Sequence, residues 1–185
     1  MKASEEQIAL WQEKYGVGNI AELHYEGRFC YLTDPSLDLH KMKILIGARR
    51  KSVGALVDAM VANCWLGGDE EFKTDEALKQ GIEDQVDDIM ELPDHETTEL
   101  ENGNVSITVN DFTIEVRKAT RNDLRYAEDR DKDNKPLVKS IFLLERLAVD
   151  AEVLKVLRSK VREYLSVLFA IQDLKDKKRV EVKKL

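Results

Sequence analysis

The sequence has few of the residues and patterns that mark a site or a compartment. Its 185 residues include two cysteines, three histidines and three prolines, and no uninterrupted apolar run of about 18 residues. The missing apolar run argues against a transmembrane helix. The first residues, MKASEEQIALW, lack the basic and then apolar pattern of a secretory signal, so we expect no such signal.

The two cysteines, Cys30 and Cys64, are not spaced as a CxxC motif and lie in apolar stretches. Buried free thiols in a reducing cytoplasm are therefore favoured, and a disulfide is the open alternative. The three histidines, His24, His40 and His95, are scattered, and neither cysteine has a local signature that contains histidine. We accordingly expect a cytoplasmic protein that is not an enzyme and has no cofactor or metal.

The formal net charge of −7 is unevenly distributed. Residues 66–101 contain 14 acidic and 2 basic residues, whereas residues 175–185 contain 6 basic and 2 acidic residues. An acidic middle repels phosphate groups, which disfavours nucleic-acid binding. The basic end suits an acidic partner or RNA, although a solvated chain end is the plainer interpretation.

Turn and cap signals predict the local structure. Ser4 and Gln7 form a capping pattern for a helix over about residues 4–15. Alternating apolar residues around Glu26-Gly27 and Asn110-Asp111 predict two β-hairpins. The second hairpin predicts three cross-strand pairs: Val105 with Val116, Ile107 with Ile114, and Val109 with Phe112. Four further residues are predicted to cap helices: Ser36, Ser52, Thr74 and Thr120.

The order hairpin, short helix, apolar helix and longer helix occurs twice, with turns and caps offset by 84 residues (110 − 26 and 120 − 36). We therefore predict an α+β fold, mainly α, in which two tandem copies of a β-hairpin followed by three helices come after an N-terminal helix. The predicted parts are the N-terminal helix (1–18), the first copy (19–92), an acidic linker (93–104), the second copy (105–174) and a basic tail (175–185).

The last predicted helix carries leucine and valine at heptad-like spacing from Leu154 to Leu168 and is apolar over more than one stripe. That width favours burial against a partner helix, either in the other copy or in another chain. A homo-oligomer is therefore possible.

The stretch NCWLGGDEEFKTD, residues 63–75, ends an apolar helix and breaks at Gly67-Gly68. The second copy has no counterpart, because Val149-Asp150 leads almost directly into the last helix. We therefore interpret the stretch as an insertion that the fold does not need and that suits recognition. Its Trp65 fits either a core anchor or an exposed binding residue.

Two strings resemble a known family. NCWLGGDEEFKTD, followed by an amphipathic helix that ends near Leu92, resembles small phage and prophage proteins of the tail assembly chaperone type. DFTIEVRKATRNDL, residues 111–124, is similar to the strand, step and helix that open many such chaperones, although Ala119 stands where the family has proline. The resemblance covers about residues 20–92 and 104–174, and the two copies in one chain depart from the family's usual pattern.

The resemblance implies a non-enzymatic role. Chaperones of this family bind the long, helical tape measure protein during assembly and recruit tail-tube subunits to it. Apolar helices with acidic outer faces are compatible with that role, because they cover an amphipathic helix while staying soluble. We predict six partner-binding residues, for which burial in the core is the open alternative: Met60, Trp65, Leu66, Val161, Leu165 and Leu168.

Two other functions stay open on the sequence alone. The same helices and duplication suit a structural or adaptor component that is retained in a phage tail or related particle. A small nucleic-acid-binding regulator would use Arg49-Arg50-Lys51 and the basic tail.

Overall fold

A computed structural model describes residues 2–135 and 137–176 of the chain. The fold is α+β and mainly α, with an N-terminal helix, as predicted. The chain divides into two compact units between Glu91 and Leu92, and each unit contains one antiparallel three-stranded sheet.

The first unit begins with helix α1 (Glu5–Tyr15), where the Ser4 hydroxyl accepts a hydrogen bond from the Gln7 amide as predicted. Strands β1 (Ile20–Tyr25) and β2 (Arg28–Thr33) form the predicted hairpin. The turn residues Glu26 and Gly27 both have positive φ, +48° and +79°, which is the backbone that a two-residue hairpin turn favours.

A short 3-10 helix (Pro35–Leu37) follows, and then helices α2 (Leu39–Arg49) and α3 (Val53–Cys64). Ser52 caps α3 as predicted. The cap predicted at Ser36 is wrong, because Ser36 is buried inside the 3-10 helix and the Asp38 carboxylate accepts from the first amides of α2.

Strand β3 (Trp65–Gly68) comes next, followed by a 3-10 helix (Glu70–Lys73) and helices α4 (Glu76–Glu83) and α5 (Val86–Ile89). Asp75 rather than Thr74 caps α4, because the backbone of Thr74 closes the preceding 3-10 helix. α4 packs against α3 and β1, and it buries Leu78 and Ile82.

The interpretation of residues 63–75 as an insertion that the fold does not need is wrong. β3 pairs with β2 through Cys30 with Gly68, Tyr31 with Gly67 and Leu32 with Trp65. Phe72 is 1% exposed, so the segment also contributes a large side chain to the core. Removing the stretch would take away an edge of the sheet together with part of the core.

The second unit contains strands β4 (His95–Glu99), β5 (Val105–Val109) and β6 (Phe112–Val116) in the order β4-β5-β6. The three cross-strand pairs predicted for the second hairpin are confirmed. The acidic linker predicted at 93–104 is wrong, because every residue of β4 pairs with β5, from His95 opposite Val109 to Glu99 opposite Val105.

Up to residue 176, the described part of this unit continues with four helices: α6 (Arg121–Arg130), α7 (Val138–Leu147), α8 (Ala151–Ser159) and α9 (Val161–Asp176). Thr120 caps α6 in a capping box with Asp123, as predicted. The single long helix predicted after Asp150 is wrong, because Lys160 leaves helical geometry at φ −103° and ψ 85° and separates α8 from α9. Beyond Asp176 the predicted basic tail lies outside the described residues.

The break at Lys160 lets α9 fold over the sheet of its own unit. α9 packs against β4, β5 and α7, while α8 packs against β6. The sheet face beneath α9 is fully apolar on β5, where alternate residues are buried. The buried side chains of β5 are Val105, Ile107 and Val109.

Candidate partner-binding site

The six predicted partner-binding residues fall into two groups. Met60, Leu165 and Leu168 are each 0% exposed, so their prediction as a contact surface is wrong and the core alternative holds. A helical stripe of apolar residues has the same spacing whether it faces the core or a partner, which explains the error. The other three residues, Trp65, Leu66 and Val161, are partly exposed.

Trp65 and Leu66 lie on β3, which is an edge of the first unit's sheet. Within the described residues, β3 pairs with a strand on one side alone, where it meets β2. A sheet edge with open backbone groups is a surface to which an extended segment of a partner adds by main-chain hydrogen bonds. Val161 belongs to the second unit, where it begins α9.

Backbone contacts around Gly68 hold β3 against β2. The Asp69 amide donates to the Phe29 carbonyl oxygen at 2.7 Å, and the Phe29 amide donates to Asp69 Oδ2 at 2.9 Å. A Cβ atom on Gly68 would lie 2.2 Å from the Phe29 carbonyl oxygen, and φ at Gly68 is +122°. Glycine is therefore the residue that allows this close approach.

A charged side chain lies over the indole ring of Trp65. The Lys73 ammonium lies 4.4 Å from the ring centroid, and it also pairs with the Glu70 carboxylate at 2.7 Å. An aromatic ring that is partly exposed and bordered by charges is the usual composition of a binding residue with a polar rim.

Helix α1 covers part of the same sheet. The Trp11 ring packs against Tyr31 with 5.2 Å between centroids, and it would lie 3.1 Å from a Cβ on Gly67. The Tyr31 hydroxyl accepts from the Ala3 amide at 3.2 Å. Gly67 and Gly68 therefore both allow close packing. Gly68 packs against β2, and Gly67 packs against Trp11 of α1.

The second unit has an apolar pocket that the sequence did not reveal. Its volume is about 190 Å³. Buried side chains from the sheet, α7 and α9 line its interior: Val105, Val116, Leu143, Leu147 and Ile171. The more exposed lining residues border the opening: Glu99, Arg117, Lys118, Ala119, Leu124 and Leu174. The lining comes from segments far apart in the chain, so no local pattern signals it.

A buried carboxylate, that of Asp123, holds the side chain of the lining residue Arg117 in place. Asp123 is 1% exposed and accepts from Arg117 at 2.7 and 2.9 Å and from Arg146 at 2.8 Å. It also accepts from the amide and the hydroxyl of Thr120 at 2.9 and 2.7 Å. The hydrogen bonds from Arg117, supported by those from Thr120 and Arg146, hold the pKa of Asp123 well below its ordinary value although burial opposes the shift.

Cys30 and Cys64 are free and buried, as the sequence favoured. Burial raises the pKa of Cys30 to about 12 and that of Cys64 to about 11, so neither thiol is activated as a nucleophile. Across residues 2–135 and 137–176, no group of three or more histidine, cysteine, aspartate or glutamate side chains is placed to hold a metal ion. In the same part of the chain, no helix has the length and apolar character to cross a membrane.

Comparison of the chain with known protein families, with curated proteins and with solved structures gives no match.

Proposed function

We propose that this chain is a non-catalytic assembly chaperone of the phage tail type, which binds a tape measure protein and tail-tube subunits in the cytoplasm of a host cell. The observation that carries the proposal is the position of Trp65. It lies partly exposed on an open edge strand, within the string that resembles the tail assembly chaperones.

The edge of β3 supplies two kinds of interaction with a client. Within the described residues its outer side pairs with no strand, which suits strand addition, and Trp65 offers a large apolar surface at its side. The ring lies beneath Lys73, so an amphipathic client would meet an apolar contact beside a charged rim. The acidic residues of the middle of the chain keep such a surface soluble.

The proposal is tested by producing the chain together with the tape measure protein encoded beside it and measuring how much tape measure protein stays soluble. We expect the wild-type chain to keep it soluble and Trp65→Ala to weaken binding about tenfold or more, as removal of an interface tryptophan commonly does. Tyr25→Ala is the matched control, because Tyr25 is an aromatic residue of the same sheet that is 50% exposed and lies at the far end of the hairpin.

Thermal unfolding of both variants separates loss of binding from loss of fold. Equal solubilisation by the wild type and Trp65→Ala, with both chains folded, would count against this site. A wild-type chain that leaves the tape measure protein insoluble would count against the function as a whole.

Mass spectrometry of purified particles separates a chaperone from a structural or adaptor component. A chaperone is absent from the finished particle, so this chain in stoichiometric amount would favour the structural alternative. A gel-shift assay at physiological salt addresses the nucleic-acid alternative, for which the acidic middle of the chain predicts no shift.

A further inference from the structure

We propose that the apolar pocket of the second unit is a binding site for a peptide segment of another protein, one that presents a large apolar side chain next to a carboxylate. The inference does not rest on the proposed function, because it concerns a different site and a different measurement.

The volume of the pocket sets the size of the side chain. A cavity of about 150 Å³ with apolar walls accommodates benzene. The pocket here measures about 190 Å³ and its walls are buried aliphatic side chains. A phenylalanine or leucine side chain therefore fits, and its burial supplies the favourable free energy.

The charged residues at the opening indicate which group of the peptide should lie next to its apolar side chain. Arg117 and Lys118 are the two cations there, and each has a carboxylate partner, Asp123 for Arg117 and Glu99 for Lys118. Arg117 is committed to Asp123, whereas Lys118 pairs with Glu99 at 3.4 Å while both side chains are substantially exposed, 45% and 75%. Such an exposed pair is weak, so the carboxylate of a ligand can replace Glu99 as the partner of Lys118.

The first unit differs in the residues that directly follow its hairpin. Pro35 and Ser36, which follow its hairpin, are buried, whereas Ala119 and Thr120, which follow the second hairpin, are exposed. The two residues that follow the hairpin are thus exposed in the second unit and buried in the first. That contrast favours a site that belongs to the second unit, rather than a packing defect shared by both.

The probe is a short peptide, acetylated and amidated at its ends, with phenylalanine between two glutamates. Two matched peptides carry lysine in place of both glutamates, or alanine in place of the phenylalanine. Each is titrated into the full chain labelled with nitrogen-15, and amide chemical shifts are followed. We expect saturable shifts around Ala119 and Leu147 with the first peptide, at least tenfold weaker binding of the lysine peptide, and no binding of the alanine peptide.

Two variants test the pocket itself. Ala119→Phe places a ring at the opening and should abolish binding, while Lys118→Glu reverses the charge and should weaken binding about tenfold. Ala151→Phe and Lys132→Glu are the controls, because both residues are exposed and lie outside the pocket lining. All four substitutions are made at exposed positions, and thermal melting checks that each chain folds.

Three results would overturn the proposal: no saturable shifts with the glutamate peptide, equal affinity for the glutamate and lysine peptides, or unchanged binding by folded Ala119→Phe. Because the tape measure protein takes no part in these titrations, solubilisation of that protein can fail while the peptide still binds.

Discussion

Replacing Gly68 with alanine tests how β3 is held. A Cβ there would lie 2.2 Å from the Phe29 carbonyl oxygen and 2.6 Å from the Cys30 Cα, which are backbone atoms of β2. Those atoms cannot move without disturbing the pairing of Cys30 with Gly68. Strain at positive φ costs about 1–3 kcal/mol and a steric conflict about 1–3 kcal/mol more, so the free energy of unfolding should fall by about 4 kcal/mol.

Gly18→Ala is the control that separates these two costs. Gly18 also has positive φ, +85°, but a Cβ there would meet no atom within 4 Å beyond its neighbours in the chain. It should therefore lose about 1 kcal/mol through backbone strain alone. Urea unfolding is followed by tryptophan fluorescence, which reports on the first unit because Trp11 and Trp65 both belong to it.

Equal losses of stability in Gly68→Ala and Gly18→Ala would refute the close approach of β3 to β2. So would a Gly68→Ala chain that unfolds at the same urea concentration as the wild type.

Two further predictions follow from buried ionisable groups. Asp123→Asn should lower stability by about 3 kcal/mol at pH 7, because it weakens the hydrogen bonds from Arg117 and Arg146. The folded-state pKa of Asp123 is depressed, so its contribution to stability is complete above the unfolded pKa of about 4 and is lost as pH falls below it. Urea unfolding of wild type and variant is followed by circular dichroism, which reports on both units. The difference in unfolding free energy between them should narrow below pH 4, and a constant difference would contradict this. Cys30 and Cys64 should resist a thiol reagent at pH 8 until urea unfolds the chain, and prompt labelling of the folded chain would show that they are accessible.

The sequence predicted those parts of the fold that depend on neighbouring residues. Both hairpins follow from two-residue turns, and the register of the second follows from the alternation of Val105, Ile107 and Val109. The caps at Ser4, Ser52 and Thr120 are local for the same reason, since a hydroxyl bonds an amide three residues ahead.

Each sheet has two edge strands, and the sequence predicted one of them but not the other, which is β3 in the first unit and β4 in the second. β4 reads HETTE, a polar sequence in which no residue is buried, because an edge strand needs only backbone pairing with β5. β3 contains two glycines and pairs with residues far earlier in the chain, so its strand character depends on β2 rather than on its own residues. The break at Lys160 has no glycine or proline to mark it.

The candidate sites were predictable only in part. Trp65 ends an apolar helix close to a pair of glycines, a context that suits either a core anchor or an exposed binding residue. Its partial exposure depends on how β3 meets the sheet, and that follows from tertiary structure. The pocket has no signal in the sequence because its lining is assembled from β4, β5, β6, α6, α7 and α9, and hydrophobic periodicity describes one element at a time.

In each unit, the second strand of the hairpin pairs with the segment that follows the second α-helix after that hairpin, but the length of the paired segment differs. In the second unit, Ala148 forms a single bridge with Val116, supported by hydrogen bonds from the Arg117 amide to Leu147 and from the Val149 amide to Glu115. In the first unit, the corresponding segment is the strand β3, which pairs with three residues of β2.

The string NCWLGGDEEFKTD is therefore an elaboration of a contact that both units make. Its backbone belongs to the fold, and what it adds for recognition is the side chain of Trp65. In the second unit, Ala148 rather than an aromatic residue makes the corresponding contact, and the pocket lies beside β6. Because the two candidate sites differ in chemistry, an aromatic edge in one unit and an apolar pocket with a cationic opening in the other, they suit two different ligands rather than two copies of one. Trp65→Ala should accordingly leave binding of the glutamate peptide unchanged, and a shared loss would show that the two sites act as one.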